Sequence, residues 1–235
     1  MPKMNAIILC GGLSTRLGDI AKSVPKILLE VKGRTVLDWQ LEKLKKLGIN
    51  EIVLAAGHLA ETLRREAGPE RNGVKIIYAI EPKKLGTGGA IKFAWEQAGN
   101  PGAPTIILNG DILAAADLAQ MTARLRPESA GVLMGSRVND ASTYGTLIYD
   151  ETGRLSEFRE KEGLAQPGYI NGGMYLFTEK MKKHFPPADE FSIEYDVFAK
   201  LNDLGIDLDI HLSDEPWVDI GLPERLEWAR NNWPE

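Results

Sequence analysis

At 235 residues, with 43% hydrophobic and 26% charged residues, the chain is long enough for one large α/β domain that buries about 70% of its unfolded surface, and it falls outside the compositions of disordered or fibrous chains. A net charge of −5, with basic residues scattered among acids, argues against a nucleic-acid-binding face. The single cysteine, Cys10, leaves no disulfide framework or thiolate cluster and fits a reducing cytoplasm, and the apolar run at the amino terminus is too short for a signal peptide or a membrane span.

In chain order, Ala6 to Cys10 reads as a buried strand that breaks into Gly11-Gly12, with Arg16 and Pro25-Lys26 beyond. Two glycines at a strand end let backbone N–H groups approach an anion, and a guanidinium with an ammonium nearby suits a polyphosphate. A tight strand-to-helix turn followed by solvated basic side chains has the same pattern. The Walker motif is excluded because no glycine precedes Lys22, and Gly11-Gly12 does not fit the dinucleotide fingerprint. Val36, Leu37, Leu41, Leu44 and Leu47 recur at helical spacing up to Gly48, a good stop. Glu51 to Ala56 and Val74 to Ala79 read as strands around a helix from Leu59 to Ala67. Alternation of this kind indicates a parallel sheet with helices on both faces and ligands at the carboxyl ends of the strands. His58 sits at such an end, where a lone histidine is usually a locally bonded loop residue.

Gly86-Thr87-Gly88-Gly89 opens a helix along Ile91, Ala94, Trp95 and Ala98. The stretch is either a flexible turn or a flat wall against which a nucleobase lies. The strand Thr105 to Leu108 runs into Asn109-Gly110-Asp111, which places a carboxylate on a rigid support, to grip a cation or to cap the segment Ala114 to Leu125. Past Pro127 the pattern turns β-rich, with candidate strands at 131–134, 145–149, 154–158 and 169–177, so that a second lobe is expected. Glu160-Lys161 follows one of these strands and Asn171-Gly172-Gly173 interrupts another. Ser192 is expected to cap a single helix through Ile193, Val197, Leu201 and Leu204. Asp219 ends a strand just before a helix with Pro223 in its first turn.

Taken in this order, the segments resemble the sugar-1-phosphate nucleotidyltransferase family from Met4 to about Trp228. The match lies in Ala6 to Gly12, Leu85 to Lys92, Leu108 to Asp111, Tyr144-Gly145-Thr146, Ile170 to Gly173 and Val218 to Gly221, and the nearest pattern is that of guanylyltransferases using a manno-configured heptose 1-phosphate. The resemblance implies a three-layer α/β/α Rossmann-like core with a mainly parallel sheet and a small sugar-binding lobe. Residues 1–235 would form one domain, with a nucleotide-binding half at 1–127 and a sugar-binding half at 128–235. It implies that Leu9, Gly11 and Gly12 cradle the nucleotide, Arg16 and Lys26 hold its phosphates, and Gly86 with Thr87 faces the base. Asp111 and Asp219 would bind Mg²⁺, Tyr144, Gly145, Glu160 and Asn171 would contact the sugar, and Lys161 would hold its phosphate. The partners implied are a nucleoside triphosphate and a sugar 1-phosphate, with neither nucleic acid nor membrane, in the cytoplasm; homo-oligomers remain open.

Ser14, Ile27 and Ile112 depart from the family pattern without removing a charge, so they bear on substrate fit. The chain is expected to lack a β-helical acyltransferase extension. Three alternatives stay open: a uridylyl- or thymidylyltransferase for glucose, mannose or N-acetylmuramic acid 1-phosphate, a non-catalytic sugar-nucleotide sensor, and a dinucleotide-dependent oxidoreductase.

Overall fold

The computed structural model describes residues 3–12, 15–160 and 165–234. Strand β1 (Asn5–Leu9) is followed by helix α1 (Val36–Lys46), β2 (Glu51–Ala56), α2 (Ala60–Ala67), β3 (Val74–Ile80), α3 (Gly86–Trp95) and β4 (Thr105–Asn109). β1 lies between β4 and β2, all parallel, with Ile7 opposite both Val53 and Ile107, and β3 extends the sheet from β2. These strands read as continuous apolar runs because helices cover both of their faces. Helix α1 starts at Thr35, whose hydroxyl accepts from Asp38 N–H while the Asp38 carboxylate accepts from Thr35 N–H. Such a reciprocal cap contributes about 1 kcal/mol. The helix buries Leu37, Gln40, Leu41 and Leu44 and stops at Gly48, whose φ of 75° suits glycine.

Next come β5 (Ile112–Ala114), α4 (Leu118–Thr122), β6 (Gly131–Val138), β7 (Gly145–Tyr149), β8 (Leu155–Glu160), β9 (Gly168–Phe177), α5 (Ile193–Asp196), β10 (Leu208–Ser213), β11 (Trp217–Asp219) and α6 (Pro223–Asn232). β9 pairs antiparallel with β4, β6 and β7, so the β-rich half continues the same ten-stranded sheet. The sheet is parallel from β4 through β1 and β2 to β3, with a short antiparallel edge strand (Glu70–Arg71) beyond β3, and mixed where the second half joins. Buried side chains of α1, α2, α4 and α6 pack on one face, and those of α3 and α5 on the other. This is the expected three-layer arrangement.

Local expectations differ from the structure in four places. The segment 114–125 is not one helix: β5 leaves the β4 corner to pair with β11, and only 118–122 is helical. The helix expected after Ser192 breaks at Val197, where φ −123° and ψ −62° depart from helical geometry; Val197 and Phe198 turn into the core instead. β10, an edge strand that pairs along its whole length with β6, has no counterpart in the sequence reading. Asp219 lies on the two-stranded β5–β11 ribbon and not on the main sheet.

Candidate active site

Beyond the carboxyl ends of β1, β2, β3 and β4 lies a cleft of about 280 Å³ lined by Leu9, Gly11, Gly12, Lys26, Gly86, Thr87 and Asp111, together with Cys10, His58, Glu81 and Asn109. Parallel strands place their ends on one edge, so residues from four separate loops meet there. The glycines make room. A Cβ on Gly11 would come within 2.7 Å of the Glu81 carboxylate, and one on Gly86, where φ is 73°, within 2.5 Å of Phe191 O. Thr87 does not simply face the cleft: its hydroxyl donates to Glu194 Oε2 at 2.5 Å and accepts from Ile193 N–H at 3.0 Å, which ties α3 to α5. Burial first, and then the charge of Glu81, push the Cys10 thiol far above its ordinary pKa, which favours its neutral form.

Asp111 follows the β4 corner and is half-buried. Its Oδ2 accepts from Lys26 Nζ at 3.1 Å. The corner is held on three sides. Gly110 N–H donates to Leu9 O at 2.8 Å, Ile220 N–H donates to Asp111 O at 2.9 Å, and Gln40 Nε2 donates to both Asn109 O (2.8 Å) and Ile112 O (3.0 Å). Because β11 pairs with β5, Asp219 stands opposite Ile112 and next to Asp111. Burial, then the Asp111 charge, raise the Asp219 pKa above the ordinary carboxylate value, against lowering by Gly221 N–H, Arg225 and Lys26. Two carboxylates that repel one another, one of them on the cleft wall, are a donor set suited to a hard divalent cation. Among the described residues no third His, Cys, Asp or Glu joins them, which fits Mg²⁺, since that ion keeps several waters and takes one or two carboxylates.

Arg16 is exposed and lies toward Gly221, with Nη2 3.5 Å from where a Cβ of that glycine would stand. It therefore stands beside the Gly221–Asp219 turn, while neither Arg16 nor Asp219 is among the residues lining the strand-end cleft. Tyr144, Gly145, Glu160 and Asn171 are brought together by β7, β8 and β9, where Gly145 pairs with Glu160. Asn171 Nδ2 donates to the Tyr175 hydroxyl at 3.0 Å, and its Oδ1 accepts from Gly173 N–H at 3.1 Å. The two glycines after Asn171 shift the β9–β6 register, and Gly173 adopts φ 69° with no room for a Cβ beside Asn109. Lys161 lies outside the described residues.

Four polar residues of this region escaped the sequence reading: Gln40, Glu81, Glu194 and Arg225. Glu81 directly follows β3, an apolar strand, the same signal that marks Asp111 in the sequence. It is half-buried in the cleft and accepts from Leu85 N–H at 3.2 Å. Burial raises its pKa. Gln40 reads as one polar position on a helix, Glu194 as a helix-start acid and Arg225 as a surface charge, so sequence offers no signal for them.

Known proteins share this architecture. HddC of Yersinia pseudotuberculosis, solved in complex with GMP-PN, superposes with a TM-score of 0.81 at 29% identity, covering 98% of this chain and 99% of that one. The D-glycero-alpha-D-manno-heptose 1-phosphate guanylyltransferase of Campylobacter jejuni is 38% identical over 94% of this chain and 96% of its own length. The mannose-1-phosphate guanylyltransferase catalytic subunit beta of Danio rerio is 32% identical over 94% of this chain, which spans 62% of that protein. With the strand-end cleft, the paired carboxylates and a match to the nucleotidyl transferase profile across residues 5–234, the chain belongs to the nucleotidyl transferase family.

Proposed function

We propose that the cleft binds GTP and that the enzyme transfers its GMP moiety to a manno-configured heptose 1-phosphate, releasing pyrophosphate. One observation carries the choice of base: the Glu81 carboxylate, half-buried between Gly11 and Leu85, forms no ion pair among the described residues. An ionised carboxylate accepts hydrogen bonds only. Guanine offers it two donors side by side, the ring N1–H and the 2-amino group. Uracil and thymine offer one, and adenine turns an acceptor toward it. The sugar assignment is supported by the heptose-specific relative, whose length the chain matches almost end to end.

In the reaction, an oxygen of the acceptor phosphate attacks the α-phosphorus of the triphosphate in line. The bond from that phosphorus to the bridging oxygen breaks, and the pair of electrons leaves with pyrophosphate. No protein nucleophile is required, since a phosphate monoester is largely dianionic at pH 7. Bringing two anions together is the obstacle, and it is met by positioning and charge. Lys26 and Arg16 neutralise the triphosphate from either side of the Asp111–Asp219 pair, and Lys161 holds the acceptor phosphate. Asp111 and Asp219 would hold Mg²⁺, which would supply further positive charge to offset the repulsion. The glycines bring backbone against the nucleotide, while Tyr144, Gly145, Glu160 and Asn171 orient the sugar. Residues 1–127 and 128–235 act here as one catalytic unit, in a reducing cytoplasm.

The test is a matrix of nucleoside triphosphates against sugar 1-phosphates, scored by pyrophosphate release. GTP with the heptose 1-phosphate is expected to give the highest kcat/KM, and a clear preference for UTP or dTTP overturns the assignment of the base. Glu81→Gln, which swaps one acceptor for a donor, is expected to lower kcat/KM for GTP about tenfold to a hundredfold, as for loss of a hydrogen bond to a charged group. Unchanged GTP use in that variant removes Glu81 from base recognition.

A further inference from the structure

Both oxygens of Asp219 are engaged. Oδ1 accepts from Gly221 N–H at 2.7 Å, and Oδ2 accepts from Arg225 Nη1 at 3.1 Å. Asp111 is held in the same manner by Lys26, also at 3.1 Å. Two carboxylates therefore face two basic side chains, and one divalent cation carries the charge of both. Arg225 belongs to α6, and its guanidinium lies over the Tyr144 ring at 5.0 Å, with Tyr144 in turn edge-on to Trp217 at 5.3 Å. Arg225, Tyr144, Trp217, Asp219 and the exposed Trp228 line a second cleft of about 460 Å³ on the far side of Asp219. An arginine that only anchored α6 to β11 would need neither an aromatic platform nor an open cleft beside it. A guanidinium stacked on a ring keeps that contact while its N–H fork turns from one anion to another, which an ammonium cannot do.

We infer that Arg225 is a further phosphate-binding residue: it competes with the divalent cation for Asp219 and, once displaced, turns across Tyr144 to bind the phosphate of the acceptor sugar. The inference rests on the assignment of Asp111 and Asp219 as metal ligands. It makes the metal and the acceptor cooperative, because each takes one half of the same ion pair, and linkage requires the effect to be equal in both directions. Lys26 stands in the same relation to Asp111 on the nucleotide side. The two basic residues thus serve the two substrates.

The experiment measures Mn²⁺ binding to the full chain by electron paramagnetic resonance, with and without saturating D-mannose 1-phosphate as the anionic probe. In the wild-type protein the sugar phosphate is expected to tighten Mn²⁺ binding about fivefold or more. Arg225→Gln, which removes the competitor, is expected to bind Mn²⁺ alone about fivefold more tightly than wild type and to lose most of the tightening. Arg225→Lys keeps the charge without the fork and is expected to fall between. Melting temperatures show whether each variant is folded, and an unfolded glutamine variant leaves the lysine variant to decide by its weaker coupling. If Mn²⁺ affinity and coupling match wild type in the folded variants, Arg225 only anchors α6 and the inference falls. If wild type binds no Mn²⁺, or Asp219→Asn binds it equally well, the metal assignment itself fails.

Discussion

Asp111 and Asp219 come from distant parts of the chain and meet because Asp219 pairs in register with Ile112. Each has a basic partner at 3.1 Å, Lys26 and Arg225, so neither stands as an isolated charge. Asparagine at either position keeps the shape and removes the charge. Asp111→Asn and Asp219→Asn are each expected to fold and to lose about a hundredfold or more in kcat. If both act through one ion, as proposed, the double variant is expected to lose little beyond the worse single one. Full activity in excess chelator, or additive losses in the double variant, contradicts a shared ion. At this scale the sequence was partly legible. Acids directly after apolar strands were identified at Asp111 and Asp219 and overlooked at Glu81.

The cleft is also held together at the level of elements, above all by α1. Gln40 is 1% exposed, and its amide nitrogen bridges the carbonyls of Asn109 and Ile112 on either side of Asp111, while its Oε1 is buried without a partner. Methionine has similar volume and no donor. Gln40→Met is expected to cost about 2 kcal/mol, because two buried carbonyls lose their partner while one orphan oxygen is removed. Urea denaturation measures this. A neutral result would mean the corner finds its hydrogen bonds elsewhere. The helix pattern was readable from Leu37, Leu41 and Leu44, yet the one polar residue on the buried face is explained only by what lies opposite it.

For the whole molecule, the amino-terminal half is tied to its sheet edge by an ion pair. Arg71, in a short edge strand before β3, donates to both oxygens of Asp38 at 2.7 and 2.8 Å, and Asp38 is also the reciprocal partner of the Thr35 cap of α1. Burial favours the neutral acid, but hydrogen bonds from Arg71 and Thr35 and the Arg71 charge outweigh it and hold the Asp38 carboxyl well below the usual range. A folded-state pKa below the unfolded one means that the unfolded chain binds more protons at acid pH. The stabilisation is therefore complete above the unfolded value of about 4 and is lost as pH falls through the depressed folded value. Asp38→Asn is expected to lower stability by about 2 kcal/mol at pH 7 and to flatten the loss below pH 4. Denaturation curves at pH 7 and pH 3 check this, and an equal loss at both pH values contradicts it.

What the sequence by itself determined was the set of local choices. Apolar runs set the parallel strands, Gly48 set a helix stop, and Ser192 and Pro223 set helix starts. These follow from the sterics and hydrogen bonding of neighbouring residues, which a linear chain displays. Tertiary structure alone decided that β9 runs antiparallel to β4 and so joins the two halves in one sheet, that β10 is a strand, and that β5 and β11 pair to set Asp219 beside Asp111. It also decided that Glu81 lines the cleft, that Gln40 holds the corner beside Asp111 and that Arg225 pairs with Asp219. Each of these depends on contacts between segments far apart in the chain, where the partner, and not the residue's own neighbours, sets conformation and charge.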